Sequence, residues 1–346
     1  MSAVMHGSIA PDAMPRSRGV WRDAWKRLRR DRVGFASLIV VALFLLMVVG
    51  SATGLIASGW ADEIAVPYAP PSFLDAAKNG EVRLEPAGGT MLTIDDIDPL
   101  EAKKAEIDER TLKNHQVEKP LRDSLPFGAD RRGRDVVQKA IKGAQVSIFV
   151  GLAAALMAVT IGTLFGGLAG YFGGIANDAL EWLYNVFTAI PSILLIFAFA
   201  AVLGPGISSV VIILGLTGWT GPYRLVRAEY IKHRSREYVL AATAIGAGNA
   251  SRMFVHILPN ISHVVLVQLS LNVVLFIKSE VILSFLGLGV PVDSVSWGTM
   301  LNEAQAELIL GKWWQLAAAT AFMAVFVTAF SLLTDALRDA LDPKLR

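Results

Sequence analysis

Between Gly143 and Asn177 the chain reads GAQVSIFVGLAAALMAVTIGTLFGGLAGYFGGIAN, 35 residues without Asp, Glu, Lys or Arg. A helix needs about 20 mostly apolar residues to cross about 30 Å of hydrocarbon. This stretch exceeds that length and shows no polar face with which a soluble helix would meet water. Four further charge-free runs surround it: Val33–Ala61 (29 residues), Trp182–Tyr223 (42), Met253–Ile277 (25) and Trp313–Thr334 (22). The longest exceeds one span, and Gly204-Pro205-Gly206 divides it into pieces of 22 and 17 residues. The pattern predicts six membrane helices, at about 33–56, 146–169, 181–203, 207–228, 258–285 and 313–335. The fold class that follows is an all-α integral membrane protein.

Composition agrees. Hydrophobic residues make up 53%, charged residues 18%, and mean hydropathy is +0.49. A soluble domain has about 45–50% apolar and about 25% charged residues, so a string of soluble domains is excluded, and disorder with it. The net charge of +2 gives no footprint for nucleic acid. The absence of cysteine removes thiol catalysis, disulfides and cysteine metal sites. The first apolar run is longer than the core of a signal peptide and has no cleavage-site pattern at its end, so it is expected to stay.

Lys and Arg near the spans set the orientation. Residues 1–32 hold eight (Arg16, Arg18, Arg22, Lys26, Arg27, Arg29, Arg30 and Arg32), and the 224–252 loop holds six (Arg224, Arg227, Lys232, Arg234, Arg236 and Arg252). Arg338, Lys344 and Arg346 close the chain. Six spans place these three segments on one side, the cytoplasmic one, and residues 58–132, 204–206 and 286–312 on the other. The 58–132 loop has 10 basic and 15 acidic residues. Its 62–98 part reads as irregular with short strands, and Pro99–Glu118 as helix-prone, with Glu101–Lys104 and Glu106–Arg110 at helical spacing. A solvated spacer and a docking platform for an extracytoplasmic partner are both consistent with it. Residues 1–15 read as unstructured.

Several chemistries are missing. No G-x-x-x-x-G-K-[ST] occurs, since Gly311-Lys312 is followed by Trp313. Histidines 6, 115, 233, 256 and 263 are scattered, and Pro259 lies between His256 and His263. No nucleophile elbow appears. Uphill transport would therefore draw on an ion gradient or another subunit.

The loop after the fourth span, REYVLAATAIGAGNASRMFVHILPN (236–260), is the most informative. A short helix is expected from Arg236 to Ile245, ended by Gly246 in the left-handed conformation. Asn249 or Ser251 would cap the next helix, and Pro259 would sit in the first part of span five. Ala241, Ala242, Ala244, Ala247 and Ala250 keep the short helix slim enough to seat in a partner's groove.

This stretch resembles the EAA loop of ABC-importer permeases. Ala241, Ala242, Gly246, Leu258 and Pro259 match at the right spacing; Leu240 stands at the glutamate position, and Glu237 lies one turn earlier. Three further segments resemble the C-type permease of dipeptide and oligopeptide ABC importers: PFGADRRGRDVVQKAIKGAQVSIFVGL (126–152), LSFLGLGVPVDSVSWGTMLNEAQ (283–305) and DALRDALDPKLR (335–346). The likeness covers span one and about 120–346, leaving about 60–120 outside it.

The resemblance implies a type I ABC importer permease fold with both termini cytoplasmic, in the cell inner membrane. It divides the chain into a basic segment (1–32), span one (33–57), an extracytoplasmic loop (58–132), a core (133–336) with coupling loop 236–260, and a tail (337–346). It assigns ATPase coupling to Glu237, Leu240, Ala241, Ala242, Gly246, Leu258 and Pro259, and a translocation or gate role to Ser279, Glu280 and Ser284. Glu280 matches the family pattern, Lys278 does not, and both are expected to reach outward from late in span five. The implied partners are a second, homologous permease, two cytoplasmic ATPase subunits that bind ATP and Mg, an extracytoplasmic binding protein and membrane lipid. The chain itself would bind no cofactor and catalyse nothing. An ion-coupled secondary transporter would want discontinuous helices with buried carboxylates in repeated halves, a pattern not seen in the sequence; a permease for a non-peptide cargo such as a nickel chelate stays open.

From the residues themselves, Gly128 and Gly133 are expected to turn the chain, Arg134–Asp135 to open an interfacial helix before span two, and Trp297, Trp313 and Trp314 to sit at the outer membrane interface. Gly151, Gly162, Gly166, Gly167 and Gly170 should let span two pack closely on a neighbour.

Overall fold

The computed structural model describes residues 20–74, 121–291 and 293–341. The helix-prone 99–118 segment, most of 62–98, residues 1–15 and the end of the tail lie outside them. Among the described residues the chain is helical: α1 (Val20–Arg30), α2 (Arg32–Ala52), α3 (Val136–Phe172), α4 (Gly174–Ala189), α5 (Ser192–Leu203), α6 (Ile207–Thr217), α7 (Thr220–His233), α8 (Glu237–Ala244), α9 (Asn249–Phe285), α10 (Trp297–Ile309) and α11 (Trp314–Leu341).

Four of these, α2, α3, α9 and α11, are long and apolar enough to cross a membrane. They are also poorly covered by protein. The most apolar stretch of α2 has a mean hydropathy of 2.8 with only 17% of it buried, and Leu43 and Leu46 stand 59% and 68% exposed. Apolar surface on this scale needs lipid as its solvent.

The third predicted span, 181–203, does not form one helix. α4 starts earlier, at Gly174, and stops at Ala189; α5 leaves it at 89°. Pro191 is the cause. It lacks an N–H and pushes the preceding residue out of the helical region, and Ile190 is extended (φ −93°, ψ 131°). The fourth, 207–228, is also divided, into α6 and α7 at Gly218 and Trp219. A Cβ on Gly218 would lie 2.2 Å from the Phe276 ring. The first span ends at Ala52 rather than 56, with Gly54 in the left-handed region (φ 76°).

α3 is the axis of the fold. It packs on α2, α6, α7, α9, α10 and α11. Its buried face is made of small residues, so neighbouring backbones come close. At Gly162, Gly166 and Gly170, spaced one turn apart, a Cβ would lie 2.6–2.7 Å from the carbonyl oxygens of Trp219, Tyr223 and Arg227 on α7 and just before it. The expected tight seam of span two is thus against α7. The main core joins Ile148 and Ala155 of α3, Ile213 of α6, Ile277 of α9, Trp297 of α10 and Phe326 of α11.

No separate interfacial helix precedes span two. Asp135 caps α3 directly, accepting the N–H groups of Val137 (2.7 Å) and Gln138 (3.1 Å). The 121–135 segment instead makes isolated bridges with the chain after α2, at Ala65–Arg122 and Pro71–Leu125. Gly128 and Gly133 do turn it (φ 87° and 79°), and Gly133 meets the Ala65 carbonyl where no side chain would fit. Trp297 and Trp314 are covered by protein: their ring N–H groups donate to the carbonyls of Ala140 (3.1 Å) and Ala129 (2.6 Å). Trp313 is 43% exposed.

Candidate functional site

The loop after α7 folds into a hairpin. α8 runs from Glu237 to Ala244, one residue inside each end of the expected helix. It closes with two bonds, Gly246 N–H to the Thr243 carbonyl (3.0 Å) and Ala247 N–H to the Ala242 carbonyl (2.9 Å), and Gly246 has φ 86°. This is the glycine-dependent helix stop in which a left-handed residue satisfies the last carbonyls. Neither Asn249 nor Ser251 caps the next helix; both lie inside α9, and Gly248 takes the capping position without a side-chain bond. Pro259 falls near the start of the regular α-helical part of α9, as expected. Before it, Arg252–Ile257 is π-helical, an irregularity with no signature among its residues.

The hairpin has two faces. Val239 and Ala242 are buried, and Val239 packs with Tyr230, Met253, Ile257 and Ile261. The Tyr230 hydroxyl donates to the Met253 carbonyl (3.2 Å). The other face is apolar and open: Leu240 is 57% exposed, Ile245 85% and Val255 64%. Glu237, Ala241 and Pro259 are exposed and Leu258 half-buried. The seven residues assigned to coupling therefore share one hairpin, with Ala242 as its buried anchor. Arg252, which sequence reasoning passed over, ties it together. Its guanidinium donates to Thr243 Oγ1 (2.9 Å) and Asn249 Oδ1 (2.6 Å) and lies 5.8 Å from the centre of the Tyr171 ring. The Tyr171 hydroxyl reaches Asn249 Oδ1 (3.2 Å), so the C-terminal end of α3 is joined to the hairpin.

Late in α9, Glu280 and Ser284 come together and Ser279 does not join them. Glu280 is fully buried rather than reaching outward. Ser284 Oγ donates to Glu280 Oε1 (2.7 Å) and accepts the Val290 N–H (3.1 Å), pinning the end of α9 to the chain that turns back. The Ser147 and Ser296 hydroxyls lie against the same carboxyl. Lys278, two residues earlier, is exposed on another side of the helix, and Ser279 Oγ is bonded to the Leu275 carbonyl (3.0 Å). The glycines of this region are packing requirements. A Cβ on Gly298 would lie 2.6 Å from the Val281 carbonyl oxygen, and one on Gly289 2.2 Å from Ser284 Oγ.

At the opposite end of α3 from the hairpin is a buried ionic cluster. Lys139, with no exposed surface, donates to Asp130 Oδ2 (2.7 Å), Gln315 Oε1 (3.3 Å) and Glu303 Oε2. Arg134 pairs with Asp130 (2.6 Å). Burial alone would raise the Asp130 carboxyl; the Lys139 ammonium and the Lys139 and Arg134 hydrogen bonds outweigh it and hold it below its ordinary value. Beside them, Glu307 is 1% exposed, and burial pushes its carboxyl up to about 7.

Comparison with known proteins fits this architecture. Residues 162–346 match the family described as binding-protein-dependent transport system inner membrane component, and residues 19–72 match the N-terminal transmembrane domain of oligopeptide transport permease C. The dipeptide transport system permease protein DppC of Bacillus subtilis (strain 168) is 32% identical over 94% of this chain and 86% of its own length. The oligopeptide transport system permease protein OppC of the same organism is 30% identical over 99% of this chain and 96% of its own. A chain from inward-facing conformations of the MetNI methionine ABC transporter aligns with 59% of this chain and 96% of its own at 14% identity and a TM-score of 0.48. With more than half its length matched to the family and relatives aligned nearly end to end, the chain belongs to the inner membrane components of binding-protein-dependent transport systems.

Proposed function

We propose that this chain forms one transmembrane half of an ABC importer for dipeptides or oligopeptides, and that the α8 hairpin receives the movement of an ATPase partner. What supports the cargo is the function of the relatives, dipeptide and oligopeptide transport. What supports the coupling role is one observation: a short helix anchored by Val239 and Ala242 leaves Leu240, and Ile245 just past its end, exposed. Exposed apolar residues on a rigid, ended helix suit a protein groove.

In this reading the partners are a second permease, two ATPase subunits holding ATP and Mg, and an extracytoplasmic binding protein. The chain is non-catalytic. Spans one, two, five and six are α2, α3, α9 and α11; the bent α4–α5 pair and α6–α7 supply the other two, with both termini on the ATPase side. Residues 1–32 and 337–346 face the cytoplasm, 58–132 lie outside, and 133–336 form the core with its coupling loop 236–260. ATP closure of the ATPase pair would press on Glu237 and the outward face of α8, and the hairpin would pass that displacement to α7 and α9. Glu280 and Ser284 would hold the outer turn of the pathway.

The test is reconstitution with the partner subunits and measurement of ATP-driven uptake of labelled dipeptides, oligopeptides and a nickel chelate in parallel. Ala242→Arg is expected to leave insertion and ATP hydrolysis intact and to abolish uptake. Solute accumulation by the purified chain alone would overturn the reading, and uptake of the chelate but neither peptide would overturn the cargo.

A further inference from the structure

We propose that the groove between α2 and α11, with the basic residues at the start of α2 and on α1, binds one anionic phospholipid. The inference needs the chain to lie in a membrane and is independent of what it transports.

The groove has a volume of about 630 Å³. Val33, Ala36 and Val40 line it from α2, and Ala324 and Val325 from α11; Arg32 is the charged member of the lining. From Arg32 to Val40 the groove follows about 12 Å of helix, at ~1.5 Å per residue. The alanines make it concave. An acyl chain needs no hydrogen-bond partner and can fill such a surface, whereas a peptide backbone laid there would find few polar groups to satisfy it.

Charge selects the head group. Beside Arg32, the side chains of Lys26, Arg29 and Arg30 are exposed, and among the described residues none of the four forms an ion pair. Asp31, the acid next to Arg32 in the chain, is already engaged: its carboxylate accepts the N–H groups of Val33 and Gly34, both at 3.0 Å, as the cap of α2. Asp31 and Asp339 line a separate recess with Arg27, not this groove. Trp25 is 48% exposed, with the Arg29 guanidinium 5.9 Å from its ring centre. An exposed Trp among cations, at the end of an apolar helix, is the arrangement that seats a helix at head-group depth. Cations clustered beside a span attract anionic lipid, and here an apolar groove continues along the helix from the same arginine.

The test uses the full chain purified in detergent, offered phosphatidylglycerol or phosphatidylcholine, with bound lipid counted by native mass spectrometry. The wild type is expected to retain one phosphatidylglycerol, preferred by about tenfold or more over phosphatidylcholine. Arg29→Gln with Arg32→Gln should abolish the preference, and Ala36→Phe should lose the lipid while keeping every charge; Val325→Phe serves if Ala36→Phe does not fold. Inorganic phosphate should not displace the lipid. Equal retention of both lipids by the wild type, retained preference in the charge variant, or displacement by phosphate would each overturn the proposal. So would a photo-crosslinker at Val325 that, in the assembled complex, captures a protein chain instead of lipid.

Discussion

Glu307→Gln should remove a pH dependence from the stability of this protein. Glu307 sits on α10, 1% exposed, with Arg131 N–H donating to Oε1 (3.2 Å) and Oε2 without a partner among the described residues. Burial raises its carboxyl to about 7; Asp130 and Glu303 push the same way, and the Arg131 N–H and Lys139 only partly oppose them. The folded protein therefore holds a proton that the unfolded chain, at its ordinary value of 4.5, has released. A state that binds more protons is favoured by lower pH, so this group's contribution weakens as pH rises from about 4.5 to about 7 and stays low above that. At ~1.4 kcal/mol per pH unit the full gap caps the effect near ~3 kcal/mol, and relaxation or water entry around the carboxylate would bring it to about 1–3 kcal/mol. Glutamine keeps the Oε1 acceptor and cannot ionise. The variant should match the wild type near pH 5 and exceed it at pH 8. Urea unfolding in micelles between pH 5 and 8.5, followed by tryptophan fluorescence, measures this; the difference between the two proteins cancels titrations they share. Parallel curves would refute the reasoning, and a variant less stable at pH 8 would mean that the carboxylate is stabilised by a partner.

Lys139→Met should cost about 2–3 kcal/mol, because buried Asp130 is left with Arg134 alone and half-buried Glu303 loses its close cation; thermal unfolding in detergent should show a clear drop, partly restored by adding Glu303→Leu. Gly166→Val should lose about 1–3 kcal/mol by forcing α3 from α7, since even a Cβ would lie 2.7 Å from the Tyr223 carbonyl oxygen; an unchanged melting temperature would contradict the seam. Arg252→Met should leave ATP hydrolysis by the complex in place and reduce uptake, because the bonds from Arg252 to Thr243 and Asn249 hold the hairpin together; equal uptake by variant and wild type would count against it.

The membrane character of the chain was legible because it is written as an absence of charge, which needs no knowledge of partners. α8 was legible for a similar reason: Gly246 is a local signal, and its stop is made by bonds within a few residues. What the charge-free runs hid was their interruptions. Trp182–Tyr223 reads as uniformly apolar, yet Pro191 bends it by 89°, a break that the proline itself announced and that counting charges overlooked. Long-range convergence was not legible at all. Lys139 meets Asp130, Glu303 and Gln315 from 9, 164 and 176 residues away, and no spacing rule connects them. The burial of Trp297 and Trp314 was not legible either: a buried indole needs only one acceptor, and the distant Ala140 and Ala129 carbonyls supply it inside the protein.

Helix α3 links the ends of the molecule that matter for the proposed mechanism. Its 37 residues extend about 55 Å at ~1.5 Å per residue. Tyr171, at one end, holds the hairpin through Asn249 and Arg252; Lys139, at the other, holds the ionic cluster. Between them, the close approach to α7 at Gly162, Gly166 and Gly170 leaves little room for independent bending. In the proposed mechanism a displacement delivered at the hairpin would travel along α3 as movement of a rod, and the cluster around Lys139 would have to move with it or break. Buried ion pairs contribute little net stability against apolar replacements, but breaking one is costly. At the far end of such a lever, this cluster would resist partial opening and favour discrete arrangements. The bent α4–α5 pair lies outside this rod, and in the proposed mechanism its break at Pro191 would be where the fold yields while α3, α7 and the hairpin keep their shape.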